Sequence, residues 1–204
     1  EFRNFAIMRC LDDAMSLDTK NSNVWIHNMD LFYGKKGSAA DQAKGDGTVD
    51  IKGDSKYVTV AYNRFWDNGK ASMCGMKSET GENWITYHHN WFDHSDSRMA
   101  RVRTMSVHMY NNYYQHCDVY GIGATSGSSV FMESNYFDAV KRPIMSSLQG
   151  TDAKGDGTFS GEKGGLIKAY GNVFANKPDN FSYITYAENN TSFDAYEVSD
   201  PSEQ

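Results

Sequence analysis

The stretch ITYHHNWF at 85–92 decides the fold, because its pattern returns along most of the chain. Apolar residues alternate with polar ones over one short strand; an asparagine, one further residue and an aromatic follow. The same phrase stands at VTVAYNRF (58–65), VHMYNNYY (107–114), VFMESNYF (130–137) and IKAYGNVF (167–174), with VWIHNMDLF (24–32) as a variant. Such alternation is the pattern of a half-buried strand. The asparagines are Asn63, Asn90, Asn112, Asn135 and Asn172, and the aromatics are Phe65, Phe92, Tyr114, Phe137 and Phe174. In the variant, Met29 takes the asparagine place and Leu31 the aromatic one.

Successive asparagines lie 27, 22, 23 and 37 residues apart. A repeat near 22 residues with insertions predicts a solenoid. A side-chain amide at one fixed place can donate to and accept from the turns on either side, satisfying backbone groups at a bend. Aromatics stacked beside it would fill the interior. Leucine-rich repeats have a similar period, but this chain has only five leucines. The expected fold is all-β, a right-handed parallel β-helix with an asparagine ladder; the alternative is an antiparallel sandwich. The longest excursions, 34–49 and 141–166, are expected to be loops leaving the coil, where a solenoid commonly shapes its binding face. The helix is expected over 1–177. FRNFAIMRC enters it abruptly without an N-terminal cap, so an upstream segment or a partner would cover that end. Residues 178–204 lose the repeat and are expected to pack on the outside of the helix or trail from it.

A chain of 204 residues fits one domain and can bury a core. Its apolar mass is Val, Ile and Met together with 14% aromatics, which suits pleated surfaces. No apolar run is long enough to span a bilayer and no charged-then-apolar leader opens the chain, so a soluble protein without membrane attachment is expected. A net charge of −6 argues against a nucleic-acid partner. It also repels a polyanion at long range, so an acidic substrate would need a local basic patch. Lys52, Lys70, Lys77, Arg98, Arg101 and Arg103 lie close enough in sequence to supply one, although Lys77 and Arg101 read best as solvated surface charges. Asp194, Glu197, Asp200 and Glu203 make the tail acidic. Cys10, Cys74 and Cys117 fit neither a zinc site nor a disulfide scaffold. They read as small buried hydrophobes, with a bridge between two of them left open. His88, His89 and His108 alternate with aromatics and read as structural strand residues.

Three further segments carry chemistry. DHSDSRMARVRTMSVHMYNNYY (93–114) holds Arg98 and Arg103 five positions apart; DNGKASMCG (67–75) holds Lys70; GDGTVDIKG (45–53) holds Asp46 and Asp50. Together they resemble the pectate lyases of the first polysaccharide lyase family, over about Asp13 to Asn176. The resemblance implies a parallel β-helix and a secreted, calcium-dependent enzyme that cleaves de-esterified polygalacturonate by β-elimination. It implies that Arg98 removes the C5 proton, that Lys70, Arg103 and Lys52 hold substrate carboxylates, and that Asp13, Asp46 and Asp50 bind Ca2+. Calcium is hard and takes several oxygens, so it can bridge protein and sugar carboxylates. Arginine is normally protonated, so this role needs nearby positive charge and an alkaline optimum.

The sequence also departs from that pattern. Ala100 stands where a proline is expected after the first arginine, Thr104 and Met105 where a glycine follows the second, and His27 where an aspartate is expected. Leu11 or Asp12 occupies the place of a further acid beside Asp13. A second AKGDGT, at 153–158 with Asp152, Asp156 and Glu162 around it, reads as an exposed turn. The competing readings are a pectin lyase, which would have no use for the acidic cluster, and a non-catalytic β-helix that binds acidic glycans or serves in adhesion.

Overall fold

The computed structural model describes residues 1–34, 46–76, 79, 83–146, 164–182 and 184–186. They form strands in three parallel sheets of seven, visited in strict rotation. The first sheet holds β1 (Phe2–Arg3), β4 (Ser22–His27), β7 (Lys56–Ala61), β10 (Ile85–His88), β13 (Ser106–Tyr110), β16 (Ser129–Glu133) and β19 (Leu166–Tyr170). The second holds β2 (Ala6–Met8), β5 (Asp30–Phe32), β8 (Arg64–Trp66), β11 (Trp91–Asp93), β14 (Tyr113–Gln115), β17 (Tyr136–Asp138) and β20 (Val173–Ala175). The third holds β3 (Met15–Leu17), β6 (Gly47–Ile51), β9 (Lys70–Cys74), β12 (Ser97–Arg103), β15 (Ile122–Thr125), β18 (Ile144–Ser146) and β21 (Ile184–Tyr186). Three strands make one rung, and the stacked rungs are the right-handed parallel β-helix that the repeat predicts.

Each repeated phrase is the corner between the first and second sheets. The residue before the ladder place takes a left-handed conformation at Asn28, Tyr62, His89, Asn111, Ser134 and Gly171, which turns the chain sharply. The next residue then faces inward. Asn63 Nδ2 donates to Asn90 Oδ1 at 3.0 Å, Asn90 to Asn112 at 3.0 Å, Asn112 to Asn135 at 3.0 Å and Asn135 to Asn172 at 2.9 Å. Each Oδ1 also accepts the backbone N–H of the preceding ladder residue, and each Nδ2 donates its second proton to a carbonyl of the preceding rung. All four hydrogen-bonding positions of an interior amide are used. Met29 ends the ladder by donating its own N–H to Asn63 Oδ1.

Two residues on, Phe65, Phe92, Tyr114, Phe137 and Phe174 stack at 4.5–5.3 Å between ring centroids, within the range where offset rings attract. Val58, Ile85, Val107, Val130 and Ile167 of the first sheet line the same core. Asn112→Ala should cost about 3 kcal/mol, because it strands the N–H and Nδ2 of Asn90 and the carbonyl of Tyr87 in the interior. Urea unfolding that shows an unchanged midpoint would contradict the structural weight given to the ladder.

Cys74 and Cys117 are buried, Cys10 is half-buried, and all three are free thiols. His88 stacks on Tyr110 and His108 on Phe131, on the outer face of the first sheet. Both expected excursions are shorter than the repeat suggests. Gly47–Ile51 and Ile144–Ser146 are strands of the third sheet. That sheet carries no asparagine phrase, so the periodicity does not reveal it. Likewise β21 pairs with β18 beyond residue 177. The second AKGDGT with Asp152, Asp156 and Glu162, and also Lys77 and the acidic tail, lie outside the described residues. Among the described residues no helix is long and apolar enough to cross a membrane.

Candidate active site

The outer face of the third sheet gathers the charged residues singled out above. Lys70 sits in register with Gly47 on one side and Ser97 on the other. Asp50 is aligned with Ser16 and Met73, and Met73 with Arg101. Residues from four rungs therefore meet on one surface, although up to 90 positions separate Asp13 from Arg103 in sequence.

Gly47 is needed here for space. A Cβ at that position would lie 2.1 Å from Asp50 Oδ1, so any side chain would displace the carboxylate. Gly75, at φ +86°, does the same between β9 and β12, since a Cβ there would meet the Arg103 carbonyl oxygen at 1.8 Å. A bulge between Met99 and Arg101 buries Met99 and Ala100 in succession and returns Arg101 to the outer row. The Met99–Ala100 peptide is cis at the place where the resemblance expects proline.

The acids fall into two groups. Asp12, Asp13 and Asp46 each offer a carboxylate oxygen within 4.8 Å of the others, an all-oxygen set of the kind that suits a hard divalent cation. Asp12 thus fills the place left open between it and Leu11, whose side chain is 92% exposed. Asp50 stands outside that trio and is only 2% exposed. Burial, reinforced by the charge of Asp13, pushes its carboxyl up to about 7, against the pull of Arg98 and Lys52.

Asp46 and Asp13 are each paired with a lysine. Lys70 Nζ donates to Asp46 Oδ1 at 2.8 Å, and an Arg98 Nη approaches the same oxygen at 3.7 Å. Burial opposes ionisation of Asp46, but the Lys70 hydrogen bond and the charges of Lys70 and Arg98 outweigh it and hold the carboxyl below its usual range. Lys52 Nζ donates to Asp13 Oδ2 at 2.8 Å and lies 3.3 Å from Asp18 and 3.9 Å from Asp50. The structure thus ties Lys52 to the acids on its own side of the site. Asp13 Oδ1 also accepts the Gly47 N–H at 3.0 Å, which fixes the carboxylate.

The arginines form the opposite wall. Arg98 is mostly buried, and its Nε has no hydrogen-bond partner among the described residues. Arg101, expected to be a solvated surface charge, is 7% exposed and belongs to this wall. The alternation of Arg101, buried Val102 and Arg103 was the sign of it. Burial together with the charges of Arg101 and Arg98 lowers the Arg103 pKa to about 10. Lys70 and Arg98 meet the acidic trio at Asp46, and Arg101 and Arg103 continue the cationic row along β12. That arrangement can hold a metal ion and an anionic substrate side by side.

Comparison with known proteins bears on this geometry. The sequence pattern of the family described as pectate lyase matches residues 9–196. A pectate trisaccharide-lyase of Bacillus licheniformis is 32% identical over 135 residues, covering 66% of this chain and 39% of that protein. Pectate lyase C of Dickeya chrysanthemi is 33% identical over 132 residues, covering 63% of this chain and 35% of that protein. A crystal structure of a pectate lyase from Bacillus sp. N165 in complex with trigalacturonate superposes with a TM-score of 0.70 at 27% identity, over 98% of this chain and 63% of that one. The chain thus spans less than two thirds of each of these proteins.

Proposed function

Since the chain belongs to the pectate lyase family, we propose that it cleaves de-esterified polygalacturonate by β-elimination on the outer face of the third sheet. The observation that carries this reading is the meeting of Lys70, Arg98, Arg101 and Arg103 with Asp12, Asp13 and Asp46 on one surface. Placement in the first polysaccharide lyase family is part of the proposal and rests on the Arg98–Arg103 spacing with Lys70. Because the substrate is a cell-wall polymer, the protein would act outside the cell.

Elimination removes the proton at C5, adjacent to the C6 carboxylate; the C5–H electron pair forms the C4–C5 double bond, and the C4–oxygen bond breaks with its pair leaving on the oxygen, which takes up a proton from solvent. Arg98, in its neutral form, would accept the proton. Arg103 and Lys70 would hold uronate carboxylates, and a guanidinium can grip a carboxylate with two parallel bonds. Their positive charge also stabilises the charge that builds on the C6 carboxylate as the proton leaves. Asp13 and Asp46, joined by Asp12, would hold Ca2+, and Asp50 behind them would add negative charge once ionised. When bound, calcium supplies Lewis-acid stabilisation of that carboxylate. Lys52 then acts chiefly by holding Asp13 and Asp18 in place.

Polygalacturonate and fully methyl-esterified pectin distinguish this reading from its rivals. The proposal expects unsaturated, ultraviolet-absorbing products from the first alone. Products from esterified pectin alone would make the protein a pectin lyase, and binding without products would make it a glycan-binding module.

A further inference from the structure

Glu79 follows β9 in the chain and is 7% exposed, outside every motif described above. Its carboxylate accepts the Gly53 N–H at 3.1 Å, the Met76 N–H at 2.9 Å on each oxygen, and the Thr104 hydroxyl at 2.8 Å. These partners follow β6, β9 and β12, three adjacent strands of the site sheet. Gly53 follows Lys52 directly and Thr104 follows Arg103. We propose that Glu79 is a positioning residue that sets Arg103 for gripping the substrate carboxylate, by tying the ends of these three strands together through Thr104. The proposal rests on the pectate lyase reading of the site.

Thr104 supports it. The residue holds φ +60°, a conformation that a β-branched side chain adopts at a cost and a glycine adopts freely. A threonine is worth having there only for its hydroxyl, which has a single proton and two acceptors within reach, Glu79 and the Arg103 carbonyl at 2.6 Å. The charged carboxylate is the stronger acceptor. Electrostatics agrees with the geometry. Burial works against ionisation of Glu79, but its hydrogen bonds outweigh that and hold the carboxyl below its usual range. Around Arg103, the charges of Arg101 and Arg98 on its own strand favour the neutral form, whereas Glu79 favours the cation. On the flanking strands its neighbours are the uncharged Gly75 and Thr125.

Glu79→Gln should raise KM for polygalacturonate about tenfold, the scale of one hydrogen bond to a charged group, with kcat changed much less. Glu79→Asp, which keeps the charge, should recover part of the loss. In an Arg103→Ala background Glu79→Gln should add nothing further. Thr104→Val keeps the side-chain shape and removes only the hydroxyl, so it tests the link even if the glutamate variants fold poorly; it should raise KM about threefold, a weaker effect of the same kind. Independently of activity, the 13C guanidinium signal of Arg103 should titrate at lower pH in Glu79→Gln than in the unaltered chain. An unchanged KM in Glu79→Gln or Thr104→Val, an equal loss with and without Arg103, or an unmoved Arg103 titration would overturn the proposal. If the unaltered chain neither binds nor cleaves polygalacturonate, the functional reading fails instead, while the Arg103 titration still decides whether Glu79 acts on it.

Discussion

Replacing Arg98 with lysine is expected to lower turnover of polygalacturonate by about 100-fold or more, the usual scale for losing a general base, with KM changed far less. Lysine keeps the positive charge and can still approach Asp46, which Arg98 reaches at 3.7 Å. If Arg98 served only as an ion-pair partner, the substitution would therefore be nearly silent. What lysine cannot reproduce is the position of a guanidine nitrogen at the far end of a mostly buried side chain whose Nε has no hydrogen-bond partner among the described residues. Arg98→Ala would be less informative, because it removes charge and chemistry together. Steady-state rates across a pH series decide the matter. Turnover within a few-fold of normal at every pH would show that Arg98 is not the base.

Removal of calcium is expected to abolish cleavage, with restoration on adding it back and little change in the melting temperature of the fold. The two halves of this prediction have different origins. Stability resides in the asparagine and aromatic ladders, which lie in the interior beside the other two sheets and do not involve the acids. In the proposed mechanism activity would depend on Asp12, Asp13 and Asp46, of which Lys52 holds Asp13 and Lys70 holds Asp46. In the proposed site Asp50 would give calcium binding a pH dependence. Its carboxyl is raised to about 7 by burial and by Asp13, so below that pH it is protonated and its negative charge is missing from the site. Calcium affinity should therefore fall as pH drops through about 7, with proton uptake on metal release. Without metal the sign for stability runs the other way. A carboxyl whose folded pKa exceeds its unfolded value contributes most below about 4 and loses that contribution as pH rises through about 7. Asp50→Asn should remove both dependences. Full activity in excess chelator would reject the metal role, and a calcium affinity that is flat between pH 6 and 8 would reject the part given to Asp50.

The repeat made the ladder legible because a corner that needs one amide at one place leaves a fixed mark in the sequence: Asn63, Asn90, Asn112, Asn135 and Asn172 were all placed correctly. The third sheet left no such mark. The start of its strand β6 and the whole of β18 fall inside the stretches 34–49 and 141–166 that read as loops. Lys70, Arg98 and Arg103 stand in motifs of fixed spacing, and the coil brings them to adjacent strands of one sheet. Arg101 was misread because charge alone suggests solvent, whereas its strand places it on the site wall beside Arg103. Asp50, matched with Asp46 by motif, is buried and stands apart from the Asp12, Asp13 and Asp46 group, a difference in burial that sequence distance does not carry. Glu79 could not have been found from sequence. It stands outside the repeat, and its proposed role comes from three strand ends that the coil brings together.

The central claim is that bond cleavage proceeds by elimination and adds no water. Digesting polygalacturonate in water enriched in 18O, with calcium present, and weighing the products by mass spectrometry tests it most directly. Expected are oligouronates whose new non-reducing ends absorb in the ultraviolet and carry no 18O, and which are lighter by one water than hydrolysis products, with 18O at reducing ends no greater than unreacted oligouronates take up by exchange. Saturated products carrying 18O, or no products at any calcium concentration, would contradict it.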